Sequence, residues 1–199
     1  MTRRTQAERR AETRTSILGA ARELFAAHGY HGTSVDTILD RAGSSKGGFY
    51  HHFADKAAVL EALLNEFEDE GVRRAREWSA GLSSPVEIIR VSARNMLAWC
   101  TDPYIRQVVL TDALSVLGFA RWHQIDDRYS LDVLDRLLQH GISTGEIREL
   151  PSTRMIARLI IAATNEAALY VANADDVDAA RAEAATGLDL LITSLTGSA

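Results

Sequence analysis

Apolar residues recur at helical spacing along most of the chain, and glycine or proline falls between the runs. The first run begins near Thr13, where Ile17, Leu18, Ala21, Leu24 and Phe25 form one stripe and predict an amphipathic helix. The residues before it lack an apolar face and are expected to fray. Gly29 reads as its stop, because glycine adopts a left-handed conformation at little cost. Thr33-Ser34-Val35-Asp36 has capping-box spacing, with the Thr33 hydroxyl accepting a helix N–H and Asp36 in the first turn. Val35, Ile38, Leu39 and Ala42 make the inner face of a short helix that Gly43 ends. Ser44 or Ser45 then caps a second short helix through about His52. Asp55 starts a longer one, with Val59, Leu60, Leu63, Leu64 and Phe67 inward. The chain loosens through Gly81-Leu82-Ser83-Ser84, a hinge between modules. Ser84-Pro85-Val86-Glu87 follows as a start signal, with an N-cap serine, proline at N1 and glutamate at N3. Further helices are predicted at about 85–100, 103–117, 119–140, 152–173 and 176–196, with Gly141 ending the third of these. No useful stretch alternates as a strand would, so the fold class is all-α with about nine helices.

Composition agrees with that pattern. Hydrophobic residues are 46% of the 199, charged residues 25%, and only three are proline. Ala, Leu, Glu and Arg dominate, side chains that lose little freedom in a helix. No apolar run is expected to reach bilayer length, and the Arg-rich start leads into an amphipathic segment rather than a signal sequence. One cysteine, Cys100, suits a reducing compartment, so the expectation is a soluble cytoplasmic protein with no membrane partner. The net charge of −5 hides an asymmetry. Residues 1–56 hold nine Lys/Arg against six Asp/Glu, whereas residues 57–199 hold thirteen against twenty-one. Arg3, Arg4, Arg9, Arg10 and Arg14 place basic charge at the front, where it would focus phosphate binding. Four of the six histidines fall within residues 28–52, but His51 and His52 diverge on a helix and no carboxylate or cysteine completes a ligand set. No metal and no cofactor are expected. Without a P-loop, nucleophile elbow or dinucleotide fingerprint, no catalytic residue is assigned and an enzyme is disfavoured.

Three short helices separated by glycine turns within about forty residues suggest a helix-turn-helix. Val35, Ile38, Leu39 and Phe49 would pack, Phe53 would anchor the next turn, and Lys46, Tyr50 and His51 are left for an outer face. Thr33, Ser34, Ser44 and Ser45 lie at or beside helix N-termini, where N–H groups favour phosphate. The run Gly32-Thr33-Ser34-Val35-Asp36-Thr37-Ile38, then Ala42-Gly43, then Ser45 to Phe53, then Asp55-Lys56, resembles the DNA-binding domain of the TetR family. Leu24 to Tyr30 also resembles that family's first helix and corner. The resemblance implies that Lys46, Gly47, Gly48, Tyr50 and His51 face DNA. It implies that Tyr50, Thr33 and Lys56 chiefly touch phosphates and that Lys46 reaches a base edge. Two positions depart from the family pattern. Gly48 stands where a small hydroxyl or alanine is common, and Ser44 where a branched apolar residue is frequent. Paired glycines either leave a slightly frayed helix tolerated by packing or let the backbone approach DNA closely. Both readings stay open at this point.

The expected organisation is therefore a DNA-binding domain over residues 1–56 and a helical ligand-binding and dimerisation domain over residues 57–199. Met96, Trp99, Cys100, Tyr104, Trp122, His123, Tyr129, Asn165 and Tyr170 are the candidate pocket residues, since aromatic walls with few polar groups suit small ligands. Taken singly each more often serves the core or an interface, and the resemblance is what implies an effector cavity here. The last two helices are rich in small residues, among them Ala157, Ala168, Ala180, Ala184 and Gly187. The resemblance implies that they pair two copies as a homodimer. The function implied is a repressor on palindromic double-stranded operator DNA, released by a small molecule. The alternative is a ligand-binding helical dimer with a degenerate DNA module that acts through a protein partner.

Overall fold

The computed structural model describes residues 5–196. Arg3 and Arg4, counted in the basic front, lie outside the described residues. α1 (Gln6–His28) starts well before Thr13, correcting the expectation of a frayed start. Its first turns bury nothing and are held by a reciprocal cap: Glu8 N–H donates to Thr5 Oγ1 (3.2 Å), and Thr5 N–H donates to Glu8 Oε2 (2.7 Å). Further along, Ile17, Leu18, Ala21 and Phe25 are buried as the stripe predicts.

α2 (Val35–Ala42) is capped by Ser34, whose Oγ accepts from Thr37 N–H at 3.0 Å. Thr33 is thus not the cap. Its side chain is buried and donates backwards to Gly29 O (2.9 Å) and Leu24 O (3.3 Å), tying off the end of α1. Gly43 closes α2 in the left-handed region at φ 61°. α3 (Lys46–His52) is capped by Ser45, which accepts from Gly48 N–H at 3.1 Å. α4 (Lys56–Trp78) is capped by Asp55, which accepts from Ala58 N–H at 2.8 Å. α5 (Pro85–Trp99) follows, with Ser84 accepting from Glu87 N–H at 3.1 Å.

A π-helical stretch, Ile105–Ala113, then runs without a break into α6 (Leu114–Leu117). α7 (Phe119–Ser143), α8 (Thr153–Ala172) and α9 (Val177–Thr193) complete the bundle. Among the described residues the only extended pairing is an isolated bridge between Ile147 and Thr196. Gly141 does not end α7, which continues to Ser143. A side chain at 141 would put its Cβ 2.5 Å from Ile147 Cδ1, so this glycine serves the close return of the chain after the helix. α8 is, by length and composition, apolar enough to cross a bilayer, with a mean hydropathy of 1.4. That corrects the expectation that no segment reaches such a length: the charges that interrupt it to the eye are too few to change the average.

α4 joins the two halves. It packs against α1 on one side and against α5, α7 and the π-helical stretch on the other. One buried cluster therefore runs from Ile17 and Phe49 through Leu60 and Leu64 to Leu97, Leu138 and Ile192.

Candidate nucleic-acid interface and effector site

Phe49 is the anchor of α3. It is fully buried, its ring centroid lies 5.8 Å from that of Phe53, and both plug α3 onto the core. With that face fixed, Ser45, Lys46, Gly47, Tyr50 and His51 are exposed on the other side, and Tyr50 is 59% accessible. Ser34 stands exposed at the N-terminus of α2, while Ser44 is half-buried in the turn. Lys46 Nζ lies 3.0 Å from Asp36 Oδ1, and that carboxylate raises its pKa above the ordinary lysine value. A nucleic acid that uses this ammonium therefore competes with Asp36 for it.

Two expected phosphate contacts turn inward. Thr33, as above, spends its hydroxyl on the end of α1. Lys56 donates from Nζ to both Tyr30 O and Thr33 O at 2.6 Å and sits over the Tyr30 ring at 4.0 Å from its centroid. Burial lowers its pKa, partly opposed by the negative charge of Asp112. The reason is local: the turn between α1 and α2 brings the Tyr30 and Thr33 carbonyls within reach of a cation at the start of α4, and Tyr30 O accepts from Thr33 N–H (3.3 Å) as well. Lys56 is a clamp on the helix-turn-helix corner.

Gly48 and Ser44 turn out to be neighbours. A Cβ at 48 would lie 3.0 Å from Ser44 Oγ, whereas one at 47 meets nothing closer than Ser45 Oγ at 3.9 Å. The two departures from the family pattern are thus packed against each other. Beside them lies an open notch of about 360 Å³, lined by Gln6, Arg9, Arg10 and Thr13 from α1 and by Gly47, Gly48, His51 and His52 from α3. Sequence reasoning saw these arginines as a basic front but not their meeting with α3, because it placed the helix start too late. His52 has its pKa lowered, first by burial and then by the charges of His51, Arg14 and Arg10. The notch is an electropositive surface continuous with α3, the arrangement that phosphate oxygens complement.

The candidate pocket residues divide into groups. Trp99 stacks on Phe67 with centroids 4.5 Å apart, and both Trp99 and Met96 lie against Gly71. Cys100 is buried, and burial pushes its thiol up to about 12. Tyr129 donates from its hydroxyl to Asn65 Oδ1 (3.2 Å), and Asn165 donates from Nδ2 to Asp126 Oδ2 (2.7 Å). Trp122 is buried and donates from Nε1 to Val109 O at 3.3 Å, while His123 is half-buried against Phe119. Two lie elsewhere. Tyr104 faces α1, where the Arg22 guanidinium covers its ring at 5.4 Å. Tyr170 is exposed and donates to Glu183 Oε2 at 2.8 Å, so it belongs to the outer face of α8 and α9. Sequence reasoning missed three buried acids, Glu68, Asp112 and Asp126, whose signal was their place among apolar positions of helical faces. Asp112, on the π-helical stretch, accepts from Tyr30 N–H at 2.8 Å and from Gln107 Nε2 at 3.1 Å, joining the bundle to the helix-turn-helix corner.

Residues 17–63 match the family described as bacterial regulatory proteins of the tetR family, and residues 86–195 match the tetracyclin repressor-like C-terminal domain. The chain belongs to the TetR family. α2 and α3 of this TetR-family chain thus fall within the matched N-terminal helix-turn-helix domain. The transcriptional regulator UidR of Escherichia coli K12 is 39% identical over 70 residues, which are 35% of this chain and 36% of UidR. The chain therefore spans little more than a third of that relative's length. A TetR-family transcriptional regulator from Pectobacterium atrosepticum is 31% identical, with a TM-score of 0.84 over 98% of this chain and 99% of that one. FadR of Bacillus subtilis, solved in complex with stearoyl-CoA, is 25% identical, with a TM-score of 0.73 over 90% and 97% of the two chains.

Proposed function

We propose that this TetR-family protein is a cytoplasmic repressor, not an enzyme, that binds palindromic double-stranded operator DNA as a homodimer and is released by a small-molecule effector. The observation that carries the reading is the exposed face of α3, held outward by Phe49 and flanked by the notch containing Arg9 and Arg10. On this reading Ser34, Ser45, Tyr50 and His51 position the protein on phosphates, Gly47 and Gly48 let the backbone approach, and Lys46 reads a base edge. Residues 1–56 act as the reading domain. Residues 57–199 hold the effector among Trp99, Cys100, Trp122, Tyr129 and Asn165.

The dimer reading is supported by two unpartnered faces. Met155, Leu159, Ala162, Glu166 and Tyr170 follow one another at three- and four-residue steps on the exposed side of α8, all but Glu166 without charge. Leu190 and Leu191 are exposed on α9, where Gly187 meets nothing within 4 Å. Only 22% of the apolar window of α8 is buried within one chain, and a second copy would cover the rest. The effector reading draws on the FadR complex, whose body this chain shares in fold.

A salt titration on a palindromic fragment from the protein's own upstream region tests the proposal. Sequence-selective binding with a steep salt slope is the expected result. Lys46→Ala should relax base preference, and paired Arg9→Ala/Arg10→Ala should weaken all sequences alike and flatten the slope. Sequence-blind binding by a persistent dimer would favour the alternative, a ligand-binding dimer acting through a protein partner.

A further inference from the structure

The notch between α1 and α3 has two walls of different chemistry. Gln6, Arg9, Arg10 and Thr13 form the α1 wall and share one helical face. Gly47, Gly48, His51 and His52 form the other. A Cβ at 48 would touch Thr13 Cγ2 at 3.6 Å, so the bare glycine keeps the floor between the walls open. No carboxylate lines the space. Glu8 and Glu12 leave α1 from other sides, and Glu8 Oε2 is held by Thr5 N–H. Among the described residues Arg9 and Arg10 hold no ion pair, in contrast to Arg22 with Glu66 and Arg41 with Glu23. Two guanidinium groups and two imidazoles thus line one space of about 360 Å³ without a counter-charge. A phosphodiester, with its charge shared between acceptor oxygens, is the complement of such a set.

The two histidines are not equivalent. His51 is exposed, whereas His52 is half-buried, with its ring 5.1 Å from that of His51 and 6.4 Å from that of Phe53. Arg14 covers the Phe53 ring at 5.3 Å and adds a further guanidinium on this side. Burial, and then the charges of His51, Arg14 and Arg10, hold the His52 imidazole below its ordinary pKa. It is therefore mainly uncharged near neutral pH. The acids on the neighbouring elements do not relieve this. Asp36 pairs with Lys46, Asp55 caps α4, and Asp40 is exposed on α2. An anion seated between Arg10 and His52 would offset the guanidinium charge and favour the imidazolium, which can then donate to it.

We propose that the notch seats one backbone phosphate of the DNA between Arg9 and Arg10 on one wall and His52 on the other, and that His52 takes up a proton from solvent as the phosphate docks. This rests on the DNA-binding reading given above and adds to it a dependence on pH. The direction follows from linkage: a complex that holds more protons than its free parts is favoured as pH falls. DNA affinity therefore rises on acidification and levels off once free His52 is itself protonated.

The experiment uses the full-length protein with a labelled operator duplex and a non-operator duplex of equal length, at constant ionic strength. Operator affinity is expected to be about tenfold or more tighter at about pH 6 than at about pH 8. The non-operator duplex should show the same pH dependence, because backbone phosphates are common to both. Calorimetry in buffers of different ionisation enthalpy should show on the order of half a proton taken up per protomer at about pH 7. His52→Gln should flatten the pH dependence and remove the uptake. His52→Lys, which fixes the charge, should flatten it at the tight end and bind more firmly than the unmodified protein at about pH 8. Circular dichroism shows whether both variants are folded. A pH dependence that His52→Gln leaves unchanged, or one confined to the operator duplex, overturns the proposal. Proton NMR of the His52 ring separates the two sources of phosphate. A titration moved as far by inorganic phosphate alone as by the duplex would make the notch a site for free anions and overturn the assignment. Equal binding of both duplexes at every pH, with the pH dependence retained, overturns the operator reading alone.

Discussion

At the scale of single residues, the glycine pair on α3 separates helix stability from DNA approach. A methyl at 47 points into open space, whereas one at 48 crowds Ser44 Oγ at 3.0 Å. Gly47→Ala is expected to stabilise the domain by about 1 kcal/mol, raising Tm by roughly 2–4 °C, because alanine loses less backbone freedom. Gly48→Ala should be close to neutral, the same gain being offset by crowding. If the backbone approaches DNA at Gly47, operator affinity falls in the more stable variant, and a gel-shift titration beside a melting curve reads both. Unchanged affinity would make the glycines a tolerated weakness and nothing more. Lys56 gives a different expectation from its sequence position. Lys56→Met removes two charged hydrogen bonds from the corner and should cost about 1–3 kcal/mol of stability, read by urea unfolding, instead of a pure phosphate contact. Buried Glu68 adds a pH signature. Burial and the opposing charges of Asp126 and Asp69 push its carboxyl up to about 8, against an ordinary value near 4.5. Cys100 and Tyr129 also face Glu68, while His123, Asp127 and Arg158 face Asp126. Between those two pH values the folded state holds a proton that the unfolded chain has lost. Stability should therefore fall as pH rises from about 4.5 to about 8 and level off above that range. Glu68→Gln should flatten this slope and leave the variant more stable at pH 8 by on the order of 2 kcal/mol.

At the scale of elements, the π-helical stretch is the part that sequence reading could not reach. A plain helix over about 103–117 was expected from its apolar spacing, and the chain there is indeed helical. Its winding is set by enclosure between α1, α4 and α8, which buries Val108, Val109, Leu110, Asp112 and Ala113 together. No local pattern encodes that; it depends on what surrounds the stretch. The reading helix was legible for the opposite reason. Ser45, Phe49 and Gly43 act within a few residues of one another, so spacing alone conveys their roles. Thr33 and Lys56 were misread because their partners lie across the corner, at Gly29 and Tyr30. Asp112 shows what the stretch contributes. Asp112→Ala should leave the Tyr30 N–H without its acceptor, at a cost of about 1–3 kcal/mol. Hydrogen exchange at the Tyr30 amide should quicken, and the reading domain should melt below the bundle. A single unshifted transition with Tyr30 still protected would remove Asp112 from the joint between the two halves.

At the scale of the whole molecule, the proposed dimer would use the exposed apolar faces of α8 and α9 to set how many reading heads meet the DNA. Leu159 and Leu190 are 56% and 69% exposed, so replacing them with glutamate removes little packing within one chain. A dimer behaves otherwise. Near the two-fold axis of an isologous interface each new carboxylate would meet its own copy, and like charges there are costly. Leu159→Glu/Leu190→Glu is therefore expected to sediment as a monomer with unchanged helix content. Its melting temperature should no longer rise with protein concentration, because that dependence belongs to association. Operator binding then reports the geometry. A linked pair of reading heads gains its second half-site at high effective concentration, so separating them should weaken operator affinity by roughly 10²–10⁴. The salt slope should fall by about half, since it counts the phosphates engaged at once. A variant that stays dimeric would place the two-fold interface elsewhere on the body. A monomer that keeps full affinity and slope would mean that one helix-turn-helix suffices, and the palindromic operator would have to be abandoned.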